Sequence, residues 1–456
     1  MINQNRLETK KYQNLIDSTK TSRKFWIFVA FLLIFVIIGI VAIINQLITG
    51  LHVTGMSNRV FMGLYIVNFV FFIGISHAGT LISAILRVGN VKWRTPITRM
   101  AETITVFALI IGASMVLIDM GRLDRVFNLI FYGRIASPLV WDFLSLTTYL
   151  VGSVTFLYLP LIPDFAILRD RNRSLNNRRY KAYRILAVNW QGTSEQEKKL
   201  KRGMGIMAFL IIPVAVSVHT VISWIFSMTW RPYWHSTIFG PDFVVGAIYS
   251  GIAAIILAMA IFRKLYKLEG FITEKHFKNL AYLMMLFGMI LLYFTISEYL
   301  TSGYTHWTDD ATLLHQLYFG WFAWLFWGFM FTTFFIPLAI LFFPKTRHVK
   351  GIVFSAFVVV IGMWLERYLI VVPVVSLGPV DLTWVLYVPT ITEILITVAA
   401  VALFLLFYTV TSKIFPIVCM WEMIEHEEEE GLQTTEPSPI SEKMPHVPDG
   451  VIVGSD

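Results

Sequence analysis

Long apolar runs separated by polar stretches recur along the chain, near residues 25–47, 60–86, 99–119, 139–162, 205–229, 242–262, 279–303, 318–343, 351–375 and 387–412. Each approaches the ~20 predominantly apolar residues that cross a bilayer as a helix. The pattern predicts an all-α, polytopic membrane protein of about ten transmembrane helices. The first run is too long for the core of a signal peptide and lacks a small-residue cleavage site, so it reads as a retained helix.

Polar segments between the runs are sorted by charge. If the N-terminus lies in the cytoplasm, 31 of the 37 Lys and Arg residues fall on that side; the other six are Arg59, Arg122, Arg125, Arg134, Arg231 and Arg367. The positive-inside rule then predicts both termini in the cytoplasm, for a multi-pass protein of a prokaryotic plasma (inner) membrane. The expected organisation is a polar N-terminus over 1–24, a first transmembrane half over 25–229 and a second over 230–415. The first half includes a basic cytoplasmic loop at 167–203, expected to lie along the lipid surface. An acidic, Pro/Ser-containing tail over 416–456 is expected to be disordered, because it cannot bury a core. Two packed bundles suit ten helices divided by that loop.

Composition narrows the classes. Hydrophobic residues make up 56% of the chain and charged ones 14%, against roughly 45–50% and about 25% in soluble domains. The net charge of +8 then reflects loop topology and contact with anionic lipid, not nucleic-acid binding. A single cysteine, Cys419, excludes a disulfide framework, a cysteine-ligated zinc site and an Fe–S cluster held by this chain alone. Any metal-borne electron carrier is expected elsewhere.

Ionisable side chains within the hydrocarbon are costly and suggest function. Asp119, Asp142 and His219 fall toward the outer face by helical rise and are expected to converge. Glu298, Glu366, Arg367 and Glu393 form a second outer set, with His235 and Asp242 in the loop beside it. Glu366 and Arg367 are adjacent and point about 100° apart on a helix, so each is expected to need a different partner. Toward the cytoplasm, His77, Glu102 and Asp164 have the chemistry of a proton route. Blander roles stand beside these: a carboxylate near a helix end caps it, buried charges form compensated networks, and a core histidine can be merely satisfied. A b-haem would require axial histidines at matched depth, whereas His77 and His219 are expected at different depths. An outer acidic pocket without metal ligands suits quinol oxidation, which releases two protons and needs carboxylates or a histidine at the hydroxyls.

The motifs point the same way. Ser76-His77-Ala78-Gly79-Thr80-Leu81-Ile82-Ser83-Ala84-Ile85-Leu86 with Trp93-Arg94-Thr95-Pro96-Ile97 resembles the polysulfide reductase membrane-subunit (NrfD/PsrC) family. Leu117-Ile118-Asp119-Met120-Gly121-Arg122, Ser137-Pro138-Leu139-Val140-Trp141-Asp142, Leu161-Ile162-Pro163-Asp164, Ser217-Val218-His219-Thr220 and Trp234-His235-Ser236-Thr237-Ile238-Phe239 continue it. Ile361-Gly362-Met363-Trp364-Leu365-Glu366-Arg367 looks like the ten-helix ActC-type subunits of alternative complex III, the nearest resemblance. Those subunits carry a histidine where this chain has Asp119.

The resemblance implies two four-helix bundles plus two flanking helices. It also implies a subunit without haem, metal or Fe–S cluster of its own that takes menaquinone or ubiquinone as substrate. The implied partners are an Fe–S subunit together with molybdopterin or multihaem cytochrome c subunits, and proton translocation is proposed for some members. By position, Asp119 and Asp142 would belong to the quinol pocket, with His219 as a third member. Two competing classes stay open: an ion or solute transporter, and a passive anchor for a peripheral enzyme.

Overall fold

The computed structural model describes residues 10–172, 178–229, 231–425 and 427. Among these there are no strands beyond one isolated bridge, Leu377 with Trp384. Helices α1 (Lys10–Asp17), α2 (Arg23–Thr49), α3 (Leu64–Val88) and α4 (Thr95–Asp119) lead into a short α5 (Val126–Phe131) and then α6 (Pro138–Tyr158). They are followed by α7 (Leu161–Arg171), α8 (Arg178–Leu186), α9 (Ser194–Ser227), α10 (Phe239–Leu265) and α11 (Glu274–Thr305). The chain continues through α12 (Thr308–Tyr318), α13 (Ala323–Met330), α14 (Ile336–Phe342), α15 (Val349–Ser376) and α16 (Ile391–Thr411). Among the described residues nine helical spans are long and apolar enough to cross a membrane; α3, of 25 residues, has a shorter apolar stretch at Leu64–His77.

Packing sorts these spans into the expected two bundles. Helices α3, α4, α6 and α9 form the first; α10, α11, α15 and the α13–α14 span form the second, and α10 also packs on α3 and α9. The flanking pair is α2 with α16, laid against α3 and α4, so the first and last spans are neighbours across both halves of the chain. Lipid-like solvation explains the outer surface of α2, where Trp26, Ile27, Phe31 and Val41 are exposed.

Small residues set the closest approaches, as expected where lipid removes the hydrophobic drive between helices. A Cβ on Gly79 of α3 would lie 2.1 Å from the Ala101 carbonyl of α4, and one on Gly39 of α2 would lie 2.1 Å from Ala399 Cβ of α16. Proline interrupts two spans, whereas Pro213 and Pro373 sit inside the continuous helices α9 and α15. The expected fourth run splits at Pro160, so that α6 ends at Tyr158 and α7 begins at Leu161. A five-residue π-turn, Phe331–Phe335, joins α13 to α14 ahead of Pro337.

Both ends of the chain contribute to the same face, here called the terminal face. Helix α1 buries Tyr12, Leu15 and Ile16. Residues 416–425, expected within the disordered tail, instead form a packed strap that buries Val418, Met420, Trp421 and Ile424. The acidic run from Glu428 onward and the part of the basic loop at 173–177 lie outside the described residues.

Candidate functional site

At the far face, opposite the termini, α4, α5 and α6 enclose a cavity of about 780 Å³, within the ~300–1,000 Å³ usual for ligand pockets. The sequence builds it locally. Helix α5 ends at a reversal where only glycine fits, since a Cβ on Gly133 would lie 2.2 Å from the Leu129 carbonyl. Pro138 then opens α6, and the Trp141 indole N–H donates to the Ile135 carbonyl, folding the connection over the helix start. The lining is mainly apolar, including Leu109, Val116, Leu146 and Leu150, with Asp142, Asn128, Thr147, Arg125 and Arg134 as polar members.

Asp142 is 8% exposed, and its Oδ1 is buried without a hydrogen-bond partner. Such an atom carries its full desolvation cost until something donates to it. Here it borders a space large enough for a donor molecule to enter.

The predicted convergence of Asp119 and His219 with Asp142 does not occur. Val116 and Leu117 of α4 and Met120 just beyond its end line the cavity, and Asp119 points to the other side of that helix. There it comes within electrostatic reach of Tyr65 and Glu393, with its Oδ1 buried and unpartnered. The Gln46 side chain of α2 locks this corner: its amide donates to the Ile118 carbonyl over 3.0 Å and its carbonyl accepts the Tyr65 hydroxyl over 2.5 Å.

His219 instead meets His77. Their ring centroids are 3.9 Å apart and both side chains are fully buried, which corrects the expectation of different depths: α9 is long enough to carry His219 back to the level of His77. The two nitrogens of His77 face the Ile73 and Ala215 carbonyls at 2.8 and 2.5 Å. Neither nitrogen of His219 has a hydrogen-bond partner.

The remaining inner residues divide. Glu102 accepts from the Ser83 hydroxyl over 2.9 Å and keeps Oε2 buried and unpartnered. Asp164 is wholly engaged: it pairs with the Arg99 guanidinium and accepts the Met420 and Trp421 N–H groups at 3.0 and 2.9 Å. It therefore clamps the strap. Arg87 and Arg94 grip the same strap at Glu422; burial alone would raise the Glu422 carboxyl, but these two guanidinium groups outweigh it and hold the carboxyl below its usual range.

In the second bundle Glu298, Glu366 and Arg367 do come together. Arg367 lies 3.4 Å from Glu366, its own neighbour, so the expectation of separate partners fails; a long guanidinium arm spans the 100° between them. Room for it comes from Gly246, where a Cβ would lie 2.8 Å from Arg367 Nη2. Asp242, read from sequence as a loop residue, occupies the first turn of α10 and joins this group. Glu393 does not join. Instead it closes a capping box at the start of α16, accepting Thr390 N–H at 2.9 Å, Gly55 N–H at 2.8 Å and the Tyr387 hydroxyl at 2.5 Å. His235 is exposed and stacks on Trp307.

Fold and site together define a polytopic helical membrane protein with a ligand-sized pocket at the face opposite its termini. The family profile described as "Polysulphide reductase, NrfD" matches residues 52–377, and the chain belongs to that family. Among its relatives, the membrane subunit of a putative dimethyl sulfoxide reductase from Halobacterium salinarum is 27% identical over 366 residues, 78% of each chain. The C subunit of the selenate reductase of Mesobacillus selenatarsenatis is 27% identical over 348 residues, covering 74% of this chain and 79% of the relative. The Hdr-like menaquinol oxidoreductase integral membrane subunit of Archaeoglobus fulgidus is 23% identical over 382 residues, covering 80% of this chain and 87% of the relative. Among the described residues no group of His, Cys, Asp and Glu has the arrangement of a metal site.

Proposed function

We propose that the chain is the integral membrane subunit of a respiratory oxidoreductase complex and handles quinol in the cavity between α4, α5 and α6. The observation that carries this is the unpartnered Asp142 oxygen bordering a largely apolar space of about 780 Å³. An apolar lining suits an isoprenoid quinone, and one buried carboxylate at its wall suits a hydroxyl that must lose a proton. Asp142 acts as the proton acceptor, and Arg125 and Arg134 stand in the same wall. The positive-inside distribution supports the far face as the outer face and both termini as cytoplasmic.

Electrons pass to an Fe–S subunit, or from it when quinone is reduced; the names of the relatives, reductase and menaquinol oxidoreductase membrane subunits, support a multi-subunit assembly. Menaquinone is favoured over ubiquinone by two of them, one a menaquinone reductase subunit of Nitratidesulfovibrio vulgaris. Subunits that co-purify distinguish a molybdopterin reductase from an assembly with multihaem cytochrome c of the alternative complex III type. Of the three candidates for proton movement through the first bundle, Glu102 keeps a free buried oxygen, while Asp164 and His77 are held by backbone and arginine.

The test is Asp142→Asn in the complete complex. Quinol-dependent turnover should fall by about 10²-fold or more, the usual weight of a general base, with the complex intact. Unchanged turnover would remove Asp142 from the chemistry, and failure of the intact complex to bind quinone would favour the anchor reading.

A further inference from the structure

The second bundle contains a buried polar group that the quinol cavity does not use. Asp242, Glu298 and Glu366 arrive from α10, α11 and α15 and border one chamber of about 10 Å³, roughly the volume that a single water needs. One oxygen of each carboxyl is buried without a hydrogen-bond partner, as are both terminal nitrogens of Arg367. Glu298, Glu366 and Arg367 are 4%, 5% and 2% exposed.

Charge decides what this chamber holds. Fully ionised, three carboxylates against one guanidinium leave two negative charges uncompensated, and buried charges without partners are not sustained. The surrounding elements do not supply the balance. Tyr233, Tyr299 and Tyr318 are phenols, and Asp310, which accepts the Tyr233 N–H, is a further acid. His235 is exposed against Trp307, and His219 faces the cluster only through Arg367. A monovalent metal ion would leave one negative charge over; a divalent ion would close the count but would sit against the Arg367 guanidinium, and among the described residues no group of His, Cys, Asp and Glu has the arrangement of a metal site. Two protons close the balance.

We propose that this cluster is a proton-holding site, in which Glu366 is the ionised counterion of Arg367 while Asp242 and Glu298 each carry a proton around a trapped water. The water supplies acceptors for Arg367 and a partner for the orphaned carboxyl oxygens. Ser236 connects the site to the far-face loop: its hydroxyl donates to Glu298 Oε2, and its oxygen accepts the Ile238 N–H over 3.2 Å. No bond other than O–H forms or breaks, and no electron moves.

Infrared difference spectroscopy on H₂O/D₂O exchange, with the full chain in its native complex, tests this. Two carboxylic-acid C=O bands are expected; Glu298→Gln should remove one and Asp242→Asn the other, whereas Glu366→Gln should remove neither. An amide in place of a neutral acid is nearly isosteric, so both band-removing variants should assemble; if one does not, the other gives the same readout. Replacing sodium chloride by choline chloride should leave the bands unchanged. Bands abolished by sodium, or by a divalent cation added after EDTA treatment, would make this a metal-cation site and overturn the proposal. So would failure of both Glu298→Gln and Asp242→Asn to remove an acid band.

Discussion

Replacing Asp164 by Asn separates two roles for the terminal face, a clamp and a proton route. The substitution keeps the side chain's shape but leaves the Arg99 guanidinium, 1% exposed, without its counterion. Breaking a buried pair in this way costs about 3–5 kcal/mol. Weakening the bonds from Met420 and Trp421 N–H, which now meet a neutral acceptor, adds roughly 1 kcal/mol each. That loss falls on the strap, whose backbone hangs on this carboxylate and on carbonyl contacts from Pro416 and Val418 to Arg99. Limited trypsin digestion of the complex in detergent should therefore cut after Lys413 much faster in the variant, with a lower thermal transition. The double variant Asp164→Asn with Arg99→Met should recover only the part of the resistance lost to the stranded charge, since it removes both charges together and keeps an acceptor for the two strap N–H groups. A strap as resistant as wild type would refute the clamp; intact resistance combined with lost turnover would return Asp164 to a proton route.

Two further outcomes follow from the same geometry. Glu422 titrates below its usual range in the folded protein because of Arg87 and Arg94, so the docking it contributes is fully present above the ordinary glutamate value of about 4.3 and is lost only as pH falls through the lower folded value. Strap proteolysis should thus stay flat from pH 7 to about 5 and rise below that, while Glu422→Gln should raise it at every pH; a rise already between pH 7 and 6 would contradict the assignment. Ala113→Phe places a ring inside the cavity wall and should raise the quinol KM about tenfold, ~1.4 kcal/mol, with assembly retained; unchanged KM would move the quinol elsewhere.

Much of the architecture was legible because a bilayer imposes length and polarity on each span separately. Residues near one another in a motif stay together, as Ser137, Leu139, Val140 and Asp142 do along one side of the cavity, whereas the apolar run at 139–162 concealed the break at Pro160. Groups distant in sequence were grouped less well. Glu393 shares the depth of the second-bundle carboxylates but belongs to the α2–α16 corner, because α16 packs back on the first span. The acidic composition after Trp421 concealed the strap, whose docking depends on three arginines from α3, its following loop and α4.

The sequence by itself determined the membrane-spanning class, most of the spans and the family, all of which rest on local hydropathy and ordered motifs. Tertiary structure decided which polar side chains share a space. A helix of 3.6 residues per turn carries neighbours to different faces, so depth brings Asp119 and Asp142 to one level while rotation aims them apart. Packing of α10 against both bundles draws Asp242 into the cluster with Glu298 and Glu366, and the length of α9 returns His219 to His77. Those are relations between helices, set by contacts that no single span encodes.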